Sequence, residues 1–126
     1  MSEIQTKITV TDMSEGVVRI NIAEIKFMES ERGRNRIVVH TNKGDYYTCG
    51  SLSQWASFFI KEGQEFIIGD RNVLINISQI EDLDCIYRKA YFYNDDQACL
   101  LSEKAFKIIA KKFGIVIVKI KESLVW

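Results

Sequence analysis

Three arginines fall within five residues in Glu31-Arg32-Gly33-Arg34-Asn35-Arg36, around a glycine that lets the backbone turn. A guanidinium offers paired donors to the O6 and N7 edge of guanine and also grips phosphate. This loop is therefore a candidate nucleic-acid contact, against the ordinary alternative of a solvated arginine-rich surface. Arg71, within Gly69-Asp70-Arg71-Asn72, carries the same chemistry. Its alternative roles are to pair with Asp70 or to cap a strand end. Lys104, Lys107 and Lys111 recur at a spacing that puts them on one side of a helix. Such a stripe is usually a solvated face, and only Lys104 stands at the helix start.

Other chemistries find less support. His40 and Cys49 could form a nucleophile pair, but no glycine-rich oxyanion context accompanies them, and both sit among strand-like neighbours. Asp82, Asp84, Asp95 and Asp96 have no EF-hand spacing and read as solvated turns. Cys49, Cys85 and Cys99 form no CxxC pair and suit buried reduced thiols better than disulfides or zinc. No phosphate-binding glycine motif is present. The residues imply no cofactor, no metal and no enzyme.

The chain has 126 residues, 47% apolar and 27% charged, enough for one ordinary globular domain. Net charge is zero, which argues mildly against nucleic acid. The distribution is less neutral: residues 26–43 hold five Lys or Arg against two Glu, and residues 103–121 hold six Lys against one Glu. Such segregation permits a basic face. The N-terminus shows no secretory pattern, and the longest strongly apolar stretch, Ile115 to Val118, is far too short to span a membrane. A cytoplasmic location is expected, with no membrane partner.

The elements that must position these residues are mostly strands. β-Branched runs place strands at Ile4, Lys7–Val10, Val17–Ile22, Ile25–Ser30, Arg36–Thr41 and Asp45–Cys49. Further strands are expected at Phe66–Ile68, Val73–Ile75, Ser78–Cys85 and Ala90–Tyr93, with a turn at Asn94-Asp95-Asp96. Asn42-Lys43-Gly44 reads as a hairpin turn. One helix is expected at Leu52–Ile60, with Ser51 and Gln54 at capping-box spacing and Gly63 as its stop. A second is expected at Glu103–Phe113, with Ser102 as N-cap and Gly114 as its stop. Its core stripe would be Phe106, Ile109 and Phe113, with Ala105 and Ile108 beside it. Ile115–Lys121 reads as a terminal strand. No linker or repeat divides the chain, so residues 1–126 form one domain, with 114–126 as a C-terminal strand extension.

Two passages resemble the LytTR family of DNA-binding modules. Ile22-Ala23-Glu24-Ile25-Lys26-Phe27-Met28-Glu29-Ser30 is similar to that family's opening pattern, and His40-Thr41 before a glycine turn continues it. Phe66 to Ile80 is similar to the family's Phe-Ile-Arg-x-His-Arg-Ser-x-Leu-Val-Asn stretch, which ends in Ile. Ser102-Glu103-Lys104 then resembles the start of the family's late helix. Arg71 and Asn76 match the pattern. Ile68 and Glu103 stand where basic residues are common, and Asp70 where His is common. Asn76 itself is expected to bond backbone groups of a turn.

The resemblance, over about residues 16–113, implies a mostly β fold: a sandwich of short antiparallel strands with two flanking helices. It further implies a sequence-specific transcriptional regulator whose loops reach from one sheet edge into double-stranded DNA, on paired direct repeats. The implied contacts are Arg32, Arg34, Asn35, Arg36, Arg71, Asn72 and Lys104. The alternative is a LytTR-like protein-interaction module, an antagonist of a regulatory protein partner, that binds DNA weakly.

Overall fold

The computed structural model describes residues 6–93 and 97–114. The strand expected at Ile4, the turn at Asn94-Asp95-Asp96 and the terminal strand at Ile115–Lys121 lie outside the described residues.

Among the described residues there are ten strands and two helices, and all but the last strand follow the patterns of β-branched and capping residues. The strands are β1 (Lys7–Asp12), β2 (Gly16–Asn21), β3 (Ile25–Glu31), β4 (Arg36–Thr41) and β5 (Gly44–Thr48), then β6 (Phe66–Asp70), β7 (Val73–Asn76), β8 (Ile80–Asp84), β9 (Lys89–Phe92) and β10 (Ala98–Leu100). The helices are α1 (Leu52–Lys61) and α2 (Glu103–Lys112). Seven strands form one sheet in the order β2-β1-β5-β4-β3-β7-β6, and three form a second in the order β10-β9-β8. Every pairing among them is antiparallel. The sandwich architecture expected from the resemblance is what the chain forms.

Period-two alternation divides the larger sheet's residues between two cores. Met28, Val39, Leu74 and Phe66 pack on one face under α1, where Phe59 stacks on Phe66 with ring centroids 3.9 Å apart. Phe27 and Ile75 point the other way, to Phe92 and Ala90 of the small sheet and to Phe106, Ile109 and Ala110 of α2. The larger sheet is thus buried on both faces where β3, β7 and β6 cross it.

Both helices begin as their sequences predict. Ser51 and Gln54 exchange side-chain-to-backbone bonds of 3.0 and 3.1 Å, a complete capping box. Ser102 Oγ accepts the Ala105 N–H at 3.2 Å. Gly63, at φ +75, ends α1 in a Schellman motif, with the Gln64 N–H bonded to the Phe59 carbonyl and the Gly63 N–H to that of Ile60.

Several expectations are corrected. Ile22 does not extend β2, and Ser78 and Gln79 do not open β8; Ile22–Glu24 and Ile77–Gln79 are each one 3₁₀ turn. Both turns sit in the same pattern, Ile-Asn-Ile-x-x-Ile, at Ile20–Ile25 and Ile75–Ile80. The fully buried Asn76 joins them, donating Nδ2–H to the Ile25 carbonyl at 2.8 Å and accepting from the Ser78 N–H and Oγ–H. Gln79 closes the junction by donating to the Ala23 carbonyl. β10 falls where no strand was expected. Phe113 follows the helix rather than filling its stripe, and it and Ile108 are exposed, while Ala110 takes the buried place. Cys49 lies beyond β5 and is exposed; Cys85 is half-buried and only Cys99 fully buried.

Candidate nucleic-acid interface

Strand direction decides which loops share an end. β3 and β6 finish where β4 and β7 begin, so the β3–β4 hairpin (residues 31–36) and the β6–β7 hairpin (residues 70–73) lie side by side. The Ser30 N–H bonds the Asn72 carbonyl at 3.0 Å and ties the two together. The Ser102 N–H bonds the Gly69 carbonyl at 2.7 Å and ties the start of α2 to the second hairpin. Two backbone bonds therefore gather all three segments marked from sequence: Arg32 to Arg36, Asp70 to Asn72, and Ser102 to Lys104.

Gly69 stands at the second tie. It forms the bulge between Ile68 and Asp70, and a Cβ there would meet Ile75 Cδ1 at 2.3 Å. A residue without a side chain lets the strand press against the core here without displacing Ile75.

The seven marked residues are not equivalent. Arg36 is held: its Nε and Nη2 each lie 3.0 Å from Glu31 Oε1, and its Cζ sits 4.3 Å from the Tyr47 ring centroid. Only 27% of its side chain is exposed. Arg34 also reaches Glu31, at 3.3 Å, but keeps 67% of its side chain exposed. Arg32 is exposed, and Asn35, at φ +51, takes a left-handed conformation that lets the hairpin close. Arg71, Asn72 and Lys104 are exposed, and Arg71 and Lys104 make no ion pair among the described residues. Asp70 does not pair with the Arg71 side chain; Asp70 Oδ1 accepts the Arg71 backbone N–H at 2.7 Å. Lys26, counted in the basic segment, is buried and adds nothing to a basic face.

Sequence reasoning missed Glu31, Tyr47 and Gly69. Glu31 sits across a tight hairpin from Arg36, and Tyr47 is its diagonal neighbour on β5, a relation visible only once the register is known. The dyad considered from sequence is also resolved. His40 stacks on Phe27 at 4.3 Å, and its two ring nitrogens lie 2.8 and 2.7 Å from carboxylate oxygens of Asp45 and Glu29. The ring is a packed, hydrogen-bonded side chain. No group of three or more metal-ligating side chains occurs among the described residues, and no described helix is long and apolar enough to cross a membrane.

The chain belongs to the LytTR family: the model of the LytTr DNA-binding domain matches residues 15–114. The family is one of DNA-binding domains and not of enzymes. Among solved structures, the chain is similar to the LytTr domain of a protein described as a methyl-accepting/DNA response regulator from Bacillus cereus. That likeness has a TM-score of 0.72 at 14% identity, over 88% of this chain and 99% of the other. No curated protein matches the chain.

Proposed function

We propose that this domain is a sequence-specific regulator of transcription that reads double-stranded DNA, in the cytoplasm, with the rim formed by its two hairpins and the start of α2. The observation that carries the reading is the backbone tethering of the three segments through Ser30–Asn72 and Ser102–Gly69. Tethered loops lose little freedom on binding, so their contacts add to affinity instead of offsetting ordering.

Within that rim the roles divide by exposure. Arg71 and Asn72 stand on a two-residue hairpin turn narrow enough to enter a major groove and reach base edges. Arg32, Arg34 and Lys104 flank it as phosphate contacts, and Asn35 holds the hairpin's shape. Arg36 supports Arg34 through their shared Glu31 partner. Occupation of paired direct repeats follows from the family resemblance, and direct repeats need no two-fold dimer.

A second reading is a protein-interaction module that antagonises a regulatory partner. It is favoured by Asp70 and Glu103, two carboxylates on the rim. It is favoured also by a mostly apolar cleft beside β6, lined by Ala56, Ile60, Ile67, Ile68 and Ile108, with Lys104 at its side. Selection of bound fragments from random duplexes by the purified protein separates the readings. A recovered motif repeated at fixed spacing supports the regulator, and an empty selection supports the interaction module.

A further inference from the structure

The turn between β8 and β9, residues 85–88, is not among the segments that the sequence marked, yet the topology carries it to the same rim. The Leu101 N–H bonds the Arg88 carbonyl at 2.8 Å, and the very next amide, that of Ser102, bonds Gly69 at 2.7 Å. Two consecutive amides thus hold the β8–β9 turn on one side and the Arg71 hairpin on the other.

The turn is built to stay in one shape. Asp84 Oδ1 accepts the N–H groups of both Ile86 and Tyr87 at 2.9 Å, which fixes the backbone. Arg88 lies at φ +55, a left-handed conformation that costs energy for any residue with a Cβ. Among the described residues the one other non-glycine at positive φ is Asn35, in the β3–β4 hairpin of the same rim. The Arg88 side chain is exposed and has no ion-pair partner among the described residues. Lys89 follows with its Nζ 5.9 Å from the ring centroid of Tyr87.

Distance assigns the chemistry. β8 and β9 belong to the second layer, and packed sheets lie ~10 Å apart. A major groove is about 12 Å wide. With the Arg71 hairpin over the base edges, a basic turn one layer away meets the groove wall, where the phosphates stand. We propose that Arg88, on its rigid turn, is a further DNA contact that binds backbone phosphate without regard to sequence. The proposal rests on the DNA-binding reading above.

The test is the salt dependence of Arg88→Gly on a selected and on a random duplex. Glycine takes the left-handed conformation freely, so this variant removes the guanidinium without threatening the turn, and its Tm verifies that. The log–log slope should become shallower by about 0.9, one phosphate. The ratio of selected to random affinity should stay as in the parent, and Arg88→Lys should restore the slope. A parental slope and affinity in Arg88→Gly would overturn this inference alone and leave the turn for a protein partner. A changed ratio would also overturn it, because it would make Arg88 a base reader. A parent chain that binds no duplex at all would overturn the DNA-binding reading and this inference with it.

Discussion

Ser102 donates its backbone N–H to the carbonyl of Gly69 at 2.7 Å, joining the start of α2 to the hairpin that carries Arg71. Gly69 has no Cβ, and one added there would press on Ile75 and Leu101 side-chain atoms. Gly69→Ala should therefore cost about 1–3 kcal/mol by overpacking and loosen the tie. The expected result is a lower Tm with faster hydrogen exchange at the Ser102 amide. Unchanged exchange at Ser102 would show that the tie does not depend on Gly69.

Arg36 and Arg34 of the β3–β4 hairpin should separate stability from binding. Arg36→Ala removes the Glu31 pair and the contact with Tyr47, at a cost of about 1 kcal/mol. Arg34→Ala should change stability by no more than ~0.5 kcal/mol, yet weaken all duplexes alike and flatten the salt slope. Thermal melting and titration of both variants check this. The reverse pattern would make Arg36 the contact and Arg34 the support.

Asp70 engages its own hairpin, through the Arg71 amide. An asparagine oxygen can accept the same bond, so Asp70→Asn should keep the turn while removing a negative charge from the rim. Binding to every duplex should tighten. Were Asp70 instead accepting from a cytosine amino group, the same variant would weaken the preferred site and spare random DNA.

Asn76 belongs to the fold and not to the rim. Asn76→Ala would leave the buried Ile25 carbonyl without its side-chain donor and the Ser78 amide without its acceptor. A loss of about 1–3 kcal/mol is expected on denaturant unfolding. A parental midpoint would show that water replaces both bonds.

The placement of the elements was legible because its signals are local. Ser51 with Gln54, Ser102, Gly63 and the β-branched runs each act within a few residues, and the structure uses them as their chemistry suggests. Ala98-Cys99-Leu100 lacks a β-branched residue, and its pairing with β9 comes from tertiary context, so β10 left no trace. The 3₁₀ turn at Ile22–Glu24 continues a strand-like alternation, which hid it. The turn after Asn76, in contrast, was expected from that residue's chemistry, and Asn76 makes the backbone bonds expected of it. The candidate site was legible as residue types but not as roles. What separates the held Arg36 from the exposed Arg34 is Tyr47, eleven residues away, and that pairing appears only with the register.

The central claim is that the tethered rim distinguishes one duplex from another. The most direct measurement is the affinity of the purified protein for its selected duplex against a random duplex of equal length, at one stated ionic strength. Specific recognition predicts a preference of at least ~10³-fold, with Arg71→Ala losing part of it at ~1–3 kcal/mol. Equal affinity for the two duplexes, or a preference that survives intact in Arg71→Ala, contradicts the account.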